Sequence, residues 1–312
     1  MKLGIALGGG GARGLAHIGV LNVLHSAGIE FDIVVGTSVG ALVGAVYAGG
    51  ALAELEHEAR NVRLTDLPLL LSPSWSLSGL FSGKNAIDLL SSVIPYNDIE
   101  ELPRRFAAVA VDLHEGRSVV IDKGNITQAI RASIAIPGIF TPVVKDDMLL
   151  VDGGLLDPVP VCVARELGAD YVLAIDLFGS LKKPSRDECP SEQSAPPPSL
   201  RGAGMKHLRT LLGKLPFVTP EESNSRLTAI GVLEQSLSIN QRHMTALRLR
   251  ESPPDDTICP PVDDVGFLDF HRGERVIEIG TRFGEECLDH IRGRIEEARL
   301  AQDARAGDQP KE

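Results

Sequence analysis

The chain has no excess of positive charge. Lys and Arg number 31 against 42 Asp and Glu, for a net charge of −11. Nucleic-acid binding needs a basic face to meet phosphate, so that class of partner is excluded. The same balance argues against strong electrostatic attachment to an anionic membrane. Cysteine is scarce as well: Cys162, Cys189, Cys259 and Cys287 lie far apart with no C-x-x-C pair. Neither a zinc site nor a disulfide framework is expected, which points to a reducing compartment. Long apolar runs are missing. The stretch from Ile33 to Ala48 is shorter than the roughly 20 residues a spanning helix needs, and Gly36, Thr37 and Ser38 break it. Leu3 to Leu7 is too short for a signal-peptide core. The expectation is a cytoplasmic protein, at most peripheral at a membrane. Aromatic residues make up 4%, with Trp75 the sole tryptophan.

What is present is the composition of an ordinary globular protein, 43% hydrophobic and 23% charged with 32 glycines among 312 residues. That length suffices for one large α/β domain or two small ones. The chain is organised around Gly36-Thr37-Ser38-Val39-Gly40. A β-branched run from Asp32 to Val35 leads into it and small residues from Ala41 to Ala48 leave it. That is a strand, a sharp turn and a helix, with a serine at the apex. The glycines leave room for a strained turn and for the helix to pass close to the strand. Taken alone, G-x-S-x-G is also compatible with a plain strand-to-helix turn.

Upstream, Lys2 to Leu7 reads as a strand, followed by Gly8-Gly9-Gly10-Gly11-Ala12-Arg13-Gly14 and then a helical pattern up to Gly28. A strand, a glycine loop and a helix N-terminus form an anion site, because consecutive backbone N–H groups point into one space. Two uses of it compete. G-x-G-x-x-G formally fits a dinucleotide loop, but that reading expects an acidic residue at the end of the second strand, where the serine elbow stands instead. The other use is an oxyanion hole for acyl transfer from Ser38. A Walker loop is excluded because no Gly-Lys-Ser/Thr follows.

Farther along, Glu54 to Arg63 and Asn85 to Val93 read as helices. Leu67 to Phe81 shows no clean period and reads as a packed loop, an apolar pocket wall or an interfacial patch. Phe106 to Asp112 and Ser118 to Ile121 read as strands, and Ile126 to Ile134 as a helix. Then Leu149-Leu150-Val151-Asp152-Gly153-Gly154 places an acid at the end of a third apolar run, although Asp-Gly is common in turns. Val159 to Leu167 reads as a helix and Tyr171 to Asp176 as a buried strand. The expected organisation is a core over 1–178 and a Pro/Ser-rich loop or linker over 179–204. A helical part over 205–300 packs on the core, and a disordered tail follows over 301–312.

The three pieces in this order, Gly9 to Gly14, Gly36 to Gly40 and Asp152-Gly153-Gly154, resemble the patatin-like phospholipase family. Ala132 to Phe140 and Asp152 to Pro160 are similar to its bacterial branch related to the catalytic domain of neuropathy target esterase. The resemblance covers Lys2 to Asp176 well and Glu234 to Ile279 more loosely. It implies a three-layer α/β/α patatin-like fold with a central, mostly parallel sheet. It also implies a lipid ester substrate, with Ser38 as nucleophile and Asp152 as general base without histidine. Gly10, Gly11 and Arg13 would form the oxyanion hole, with no metal and no cofactor. The family pattern carries asparagine where this chain has Asp157, so an extra carboxylate beside Asp152 is expected to raise the pKa of the base. Oligomeric state is left open. Two rivals stand beside this reading: a Ser-His-Asp triad drawing on His207, His243, His271 or His290, and a lipid-binding protein that keeps the fold with little turnover. His17 lies inside the first expected helix, where packing is its simpler role.

Overall fold

A computed structural model describes residues 1–67, 72–76, 79–179 and 229–307. The Pro/Ser-rich segment over 180–204 and His207 lie outside the described residues. Strands β1 (Leu3–Leu7), β2 (Ile33–Thr37) and β10 (Tyr171–Ile175) run parallel side by side, with β11 (Asp256–Ile258) added beyond β10. On the other side of β2 lies β5 (Arg105–Asp112), also parallel. Antiparallel strands β6 (Arg117–Ile121), β9 (Met148–Asp152) and β8 (Val143–Lys145) complete this sheet.

The strands alternate between two buried faces, as a period of two requires when both faces are covered. Ile5, Leu7, Val34, Leu173 and Ile175 enter one apolar cluster with helices α1 (Ala16–Ser26) and α2 (Val39–Ala48). Ala6, Ile33, Val35, Val172 and Ala174 enter the other with residues Val161 and Val163. These last two belong to helix α6 (Val161–Glu166), which follows α3 (Leu52–Asn61), α4 (Lys84–Val93) and α5 (Ile126–Ser133) in the chain. The result is the expected three-layer arrangement with a mostly parallel sheet.

Two helices follow the undescribed segment: α7 (Ala229–Glu251) and α8 (Gly273–Gly307). Helix α8 packs on α1, where glycines let the backbones touch. A Cβ at Gly19 would sit 2.2 Å from the Ile277 carbonyl, and one at Gly280 would sit 2.1 Å from that of Ala16. This helix takes in seven residues of the expected tail, Ala301 to Gly307, through good helix formers including Ala301, Gln302 and Ala304. A second correction concerns Leu67 to Phe81. Its described part is not a plain loop: β3 (Pro73–Ser76) and β4 (Gly79–Phe81) form a small three-stranded sheet with β7 (Gly138–Phe140). Phe81 and Phe140 pack there with rings tilted by 57° and centroids 6.3 Å apart.

Candidate active site

Strand β5 acts as the template that brings Ser38 to Asp152. Val109 pairs with Thr37 of β2 on one edge and with Val120 of β6 on the other. The next residue, Ala110, pairs with Val119 of β6 and with Asp152 of β9. Strands β2 and β9 therefore lie on the same edge of β5 and meet end to end. The acid was expected on the sheet edge that carries the elbow. It arrives there from the opposite direction, on an antiparallel strand.

The elbow itself has the strain its motif implies. Ser38 sits at φ 57° and ψ −126°, between β2 and α2. Such a conformation costs of order 1–3 kcal/mol for a non-glycine residue and persists only when its surroundings fix it. A Cβ at Gly36 would lie 2.2 Å from the Gly40 carbonyl and one at Gly40 2.2 Å from the Leu7 carbonyl, so the elbow closes against β1 only with glycine at both positions. The Ser38 carbonyl accepts the N–H groups of Ala41 and Leu42. Its hydroxyl donates to Asp152 Oδ2 at 2.6 Å, and both side chains are buried. The other carboxylate oxygen, Oδ1, accepts the Gly154 N–H at 2.7 Å. Gly153 lies flat on β5, where a Cβ would meet the Val109 carbonyl at 2.3 Å.

Burial raises the Asp152 pKa to about 6, against the hydrogen bonds from Ser38 and Gly154 that lower it. The expected influence of Asp157 on Asp152 is not found. The Asp157 carboxyl is itself raised to about 6 by burial, and the charges it feels are those of Arg248, Glu166 and Glu251. Its backbone carbonyl accepts the Thr37 hydroxyl at 2.8 Å.

The glycine loop reaches Ser38. A Cβ built at Gly9 would lie 3.4 Å from Ser38 Cβ, and Gly11 lines the same cavity as Ser38. The carbonyls of Ile175, Pro158 and Phe267 take the N–H groups of Gly8, Gly9 and Ala12, leaving out, among the described residues, those of Gly10 and Gly11. Gly10 and Gly11 both have positive φ, 155° and 61°, which turns their backbones in a way that other residues resist. Gly14 meets α2, where a Cβ would strike Val39 at 2.1 Å. Arg13 is directed elsewhere. Its Nε donates to the Val265 carbonyl at 2.8 Å and its guanidinium lies 5.3 Å from the Phe178 ring centroid, so it ties the loop to the C-terminal segment.

Sequence reasoning missed several contributors. His17 is fully buried in α1 and bonds the Gly8 carbonyl through Nε2 at 2.8 Å. The carbonyl can only accept, so Nε2 carries the proton; burial lowers the pKa of this ring to about 4, which keeps it neutral. From α7, Asn240 Nδ2 donates to the Leu155 carbonyl and Arg248 Nε to that of Leu156, clamping the turn after Asp152. A cavity of about 120 Å³ opens from Ser38 between α2, α3 and α4. Leu42, Leu55, Ala59, Leu90, Ile134 and Phe267 are among its walls, and Glu58 is the one ionisable residue lining it among those described. Apolar residues at helical spacing read as ordinary core in a sequence, which hid this wall.

None of His243, His271 and His290 lines that cavity, and His290 Nε2 lies 2.8 Å from Asp256 Oδ2. Among the described residues no three His, Cys, Asp or Glu side chains come together as a metal-ligand set, and no helix is long and apolar enough to cross a membrane.

A family model for patatin-like phospholipases matches residues 5–165. An uncharacterized NTE family protein of Mycobacterium tuberculosis is 42% identical over 190 residues, which is 61% of this chain and 53% of that protein. Lysophospholipase NTE1 of Pyricularia oryzae is 28% identical over 298 residues, 93% of this chain and 19% of that protein. The chain thus spans about half the length of the mycobacterial relative and a fifth of the fungal one. Among solved structures, VipD from Legionella pneumophila aligns with a TM-score of 0.36 and 13% identity, covering 80% of this chain and 67% of that one.

Proposed function

Because the chain belongs to the patatin-like phospholipase family, we propose that it is a serine lipid acyl hydrolase working through a Ser38–Asp152 dyad. The observation that carries this reading is the 2.6 Å hydrogen bond from Ser38 Oγ to a buried carboxylate, at the mouth of an apolar cavity. A serine hydroxyl becomes a useful nucleophile only when a base takes its proton. Asp152 takes it as Oγ attacks the ester carbonyl. The developing oxyanion is held by the N–H groups of Gly10 and Gly11, each such donor being worth about 3 kcal/mol in the transition state. The alcohol leaves with the proton from Asp152. Water, deprotonated by the same carboxylate, then releases the fatty acid from acyl-Ser38. The cavity takes the acyl chain, and the substrates are carboxylic esters of phospholipids or lysophospholipids.

The test is hydrolysis of short-chain p-nitrophenyl esters and of lysophospholipid by the wild type, Ser38→Ala and Asp152→Ala, with a chelator present throughout. Activity that survives chelation and disappears in both variants supports the metal-free dyad. A wild type that neither hydrolyses these esters nor reacts with a fluorophosphonate probe would leave a lipid-binding protein instead.

A further inference from the structure

Four consecutive residues at the end of α5 touch the nucleophile, the base and the cavity. The Ser133 hydroxyl is fully buried; it accepts the Ser38 N–H at 2.8 Å and donates to the Val109 carbonyl at 2.6 Å. The Ala135 carbonyl accepts the Asp152 N–H at 2.9 Å. Between and beyond them, Ile134 and Ile136 line the cavity. Odd positions hold the backbones of the dyad, and even positions face the space next to it.

The direction of the Ser133 bonds is fixed by its partners. A backbone N–H can only donate and a carbonyl can only accept, so the hydroxyl proton has one place to go. Val109 is also the residue paired with Thr37. Ser133 thus links the strained elbow back to the strand that sets the position of Asp152. Around Ser38 the carbonyl is held by helix α2 and the hydroxyl by Asp152, while among the described residues the N–H is held by Ser133 alone. That N–H is therefore committed to the scaffold and does not serve as an oxyanion donor.

We infer that Ser133 is a positioning residue for acyl transfer: its hydroxyl fixes the backbone of Ser38 so that Oγ stays aligned on Asp152. The inference rests on the dyad reading above. Ser133 does not line the cavity, so its loss lowers the rate of the chemical step and leaves substrate capture nearly untouched. Misplacing a reacting atom by about an ångström is enough to cost about a hundredfold.

The experiment compares Ser133→Ala, Ser133→Cys and Ile130→Val, with Ser38→Ala as the inactive reference. Ile130 is fully buried on the same helix and supplies a matched loss of packing. kcat and KM on a short-chain p-nitrophenyl ester, the rate of fluorophosphonate labelling and the melting temperature are read for each. Ser133→Ala is expected to lower kcat and labelling by at least about thirtyfold with KM within about threefold. Ser133→Cys, with a weaker donor and acceptor of similar size, should recover part of both, and Ile130→Val should stay within about threefold of wild type. If Ser133→Ala does not fold, the Cys variant carries the comparison, with an intermediate loss of kcat expected. The inference is overturned if the Ala or Cys variant keeps wild-type kcat, or if Ile130→Val loses as much kcat at the same melting temperature. It is equally overturned if Cys restores stability without restoring kcat. An active Ser38→Ala would instead remove the dyad reading itself.

Discussion

The sheet side of the cleft and the cavity side are held by different forces. Around Ser38 and Asp152, directional hydrogen bonds of 2.6–2.9 Å run to Ser133, Gly154, Ala135 and Ala41. Across the cleft, the walls from α3, α4 and Phe267, Leu268 and Phe270 are aliphatic and aromatic side chains apart from Glu58. Hydrogen bonds fix angles and separations, whereas apolar packing is non-directional and tolerates volume-conserving change. The sheet side should therefore set whether the reaction occurs, and the cavity side which acyl chain undergoes it.

The largest effect should come from the base. Asp152→Asn keeps the shape and the bond from Gly154 but cannot take a proton. The expected loss of kcat is about a thousandfold, within the range for general-base catalysis. The wild type tests the same group by pH. The proposed base would act when ionised, and burial raises the Asp152 pKa to about 6. Activity should thus rise with pH through about 6 and level off above it. A pH–rate profile of kcat/KM that is flat between pH 5 and 8 would argue against Asp152 as base.

Next in size is the glycine loop. Gly11 has φ 61°, and a Cβ there would lie 2.3 Å from the Phe267 carbonyl. Gly11→Ala should displace one oxyanion donor and lower kcat about a hundredfold on long and short esters alike. A change confined to long-chain esters would mean that this loop belongs to the cavity side of the comparison.

The sheet side was largely legible in the sequence because its devices are local. A glycine elbow, a glycine loop after a strand and an Asp-Gly-Gly turn each need particular residues at adjacent positions. Ser38, Asp152, Gly10 and Gly11 were singled out as candidate site residues that way. What stayed hidden depends on contacts distant in sequence. Ser133 is an unremarkable helix-end serine until β5 brings Val109 beside it. The antiparallel course of β9 depends on its pairing with β5, which a run of apolar residues does not reveal. Arg13, next to the loop in sequence, is drawn away by Val265, 252 residues later. The cavity wall was illegible for a different reason: Leu55, Ala59 and Leu90 follow the same spacing whether they border a ligand or other side chains.

The cavity side is sharpened by Ala59→Phe. Ala59 lines the cavity and is buried on α3. A ring there occupies space that distal methylenes of a long chain would fill, each worth about 0.8 kcal/mol when buried. Three lost methylenes correspond to roughly a fiftyfold drop in kcat/KM on long-chain esters. Short-chain esters should change by less than about twofold, since the dyad is untouched. Parallel losses on both substrates would show that the two sides are not separable.

The smallest effect on activity is expected at Asp157, and its main signature is stability. Burial raises this carboxyl from 3.8 to about 6. The folded state therefore binds the proton more tightly than the unfolded chain between those pH values. Stability from this group is fully present below about pH 4 and is lost as pH rises through about 6. The difference above that pH is at most about 3 kcal/mol. Asp157→Asn removes the charge and keeps the shape, so it should raise the melting temperature at pH 8, with the gain shrinking towards pH 4. The attraction of Arg248 is already contained in that net rise, so the gain at pH 8 should stay at or below about 3 kcal/mol. The activity limb near pH 6 should not move, because the rise at Asp152 comes from that residue's own burial. A limb that shifts in Asp157→Asn would couple the two carboxyls and extend the sheet-side network to the start of α6.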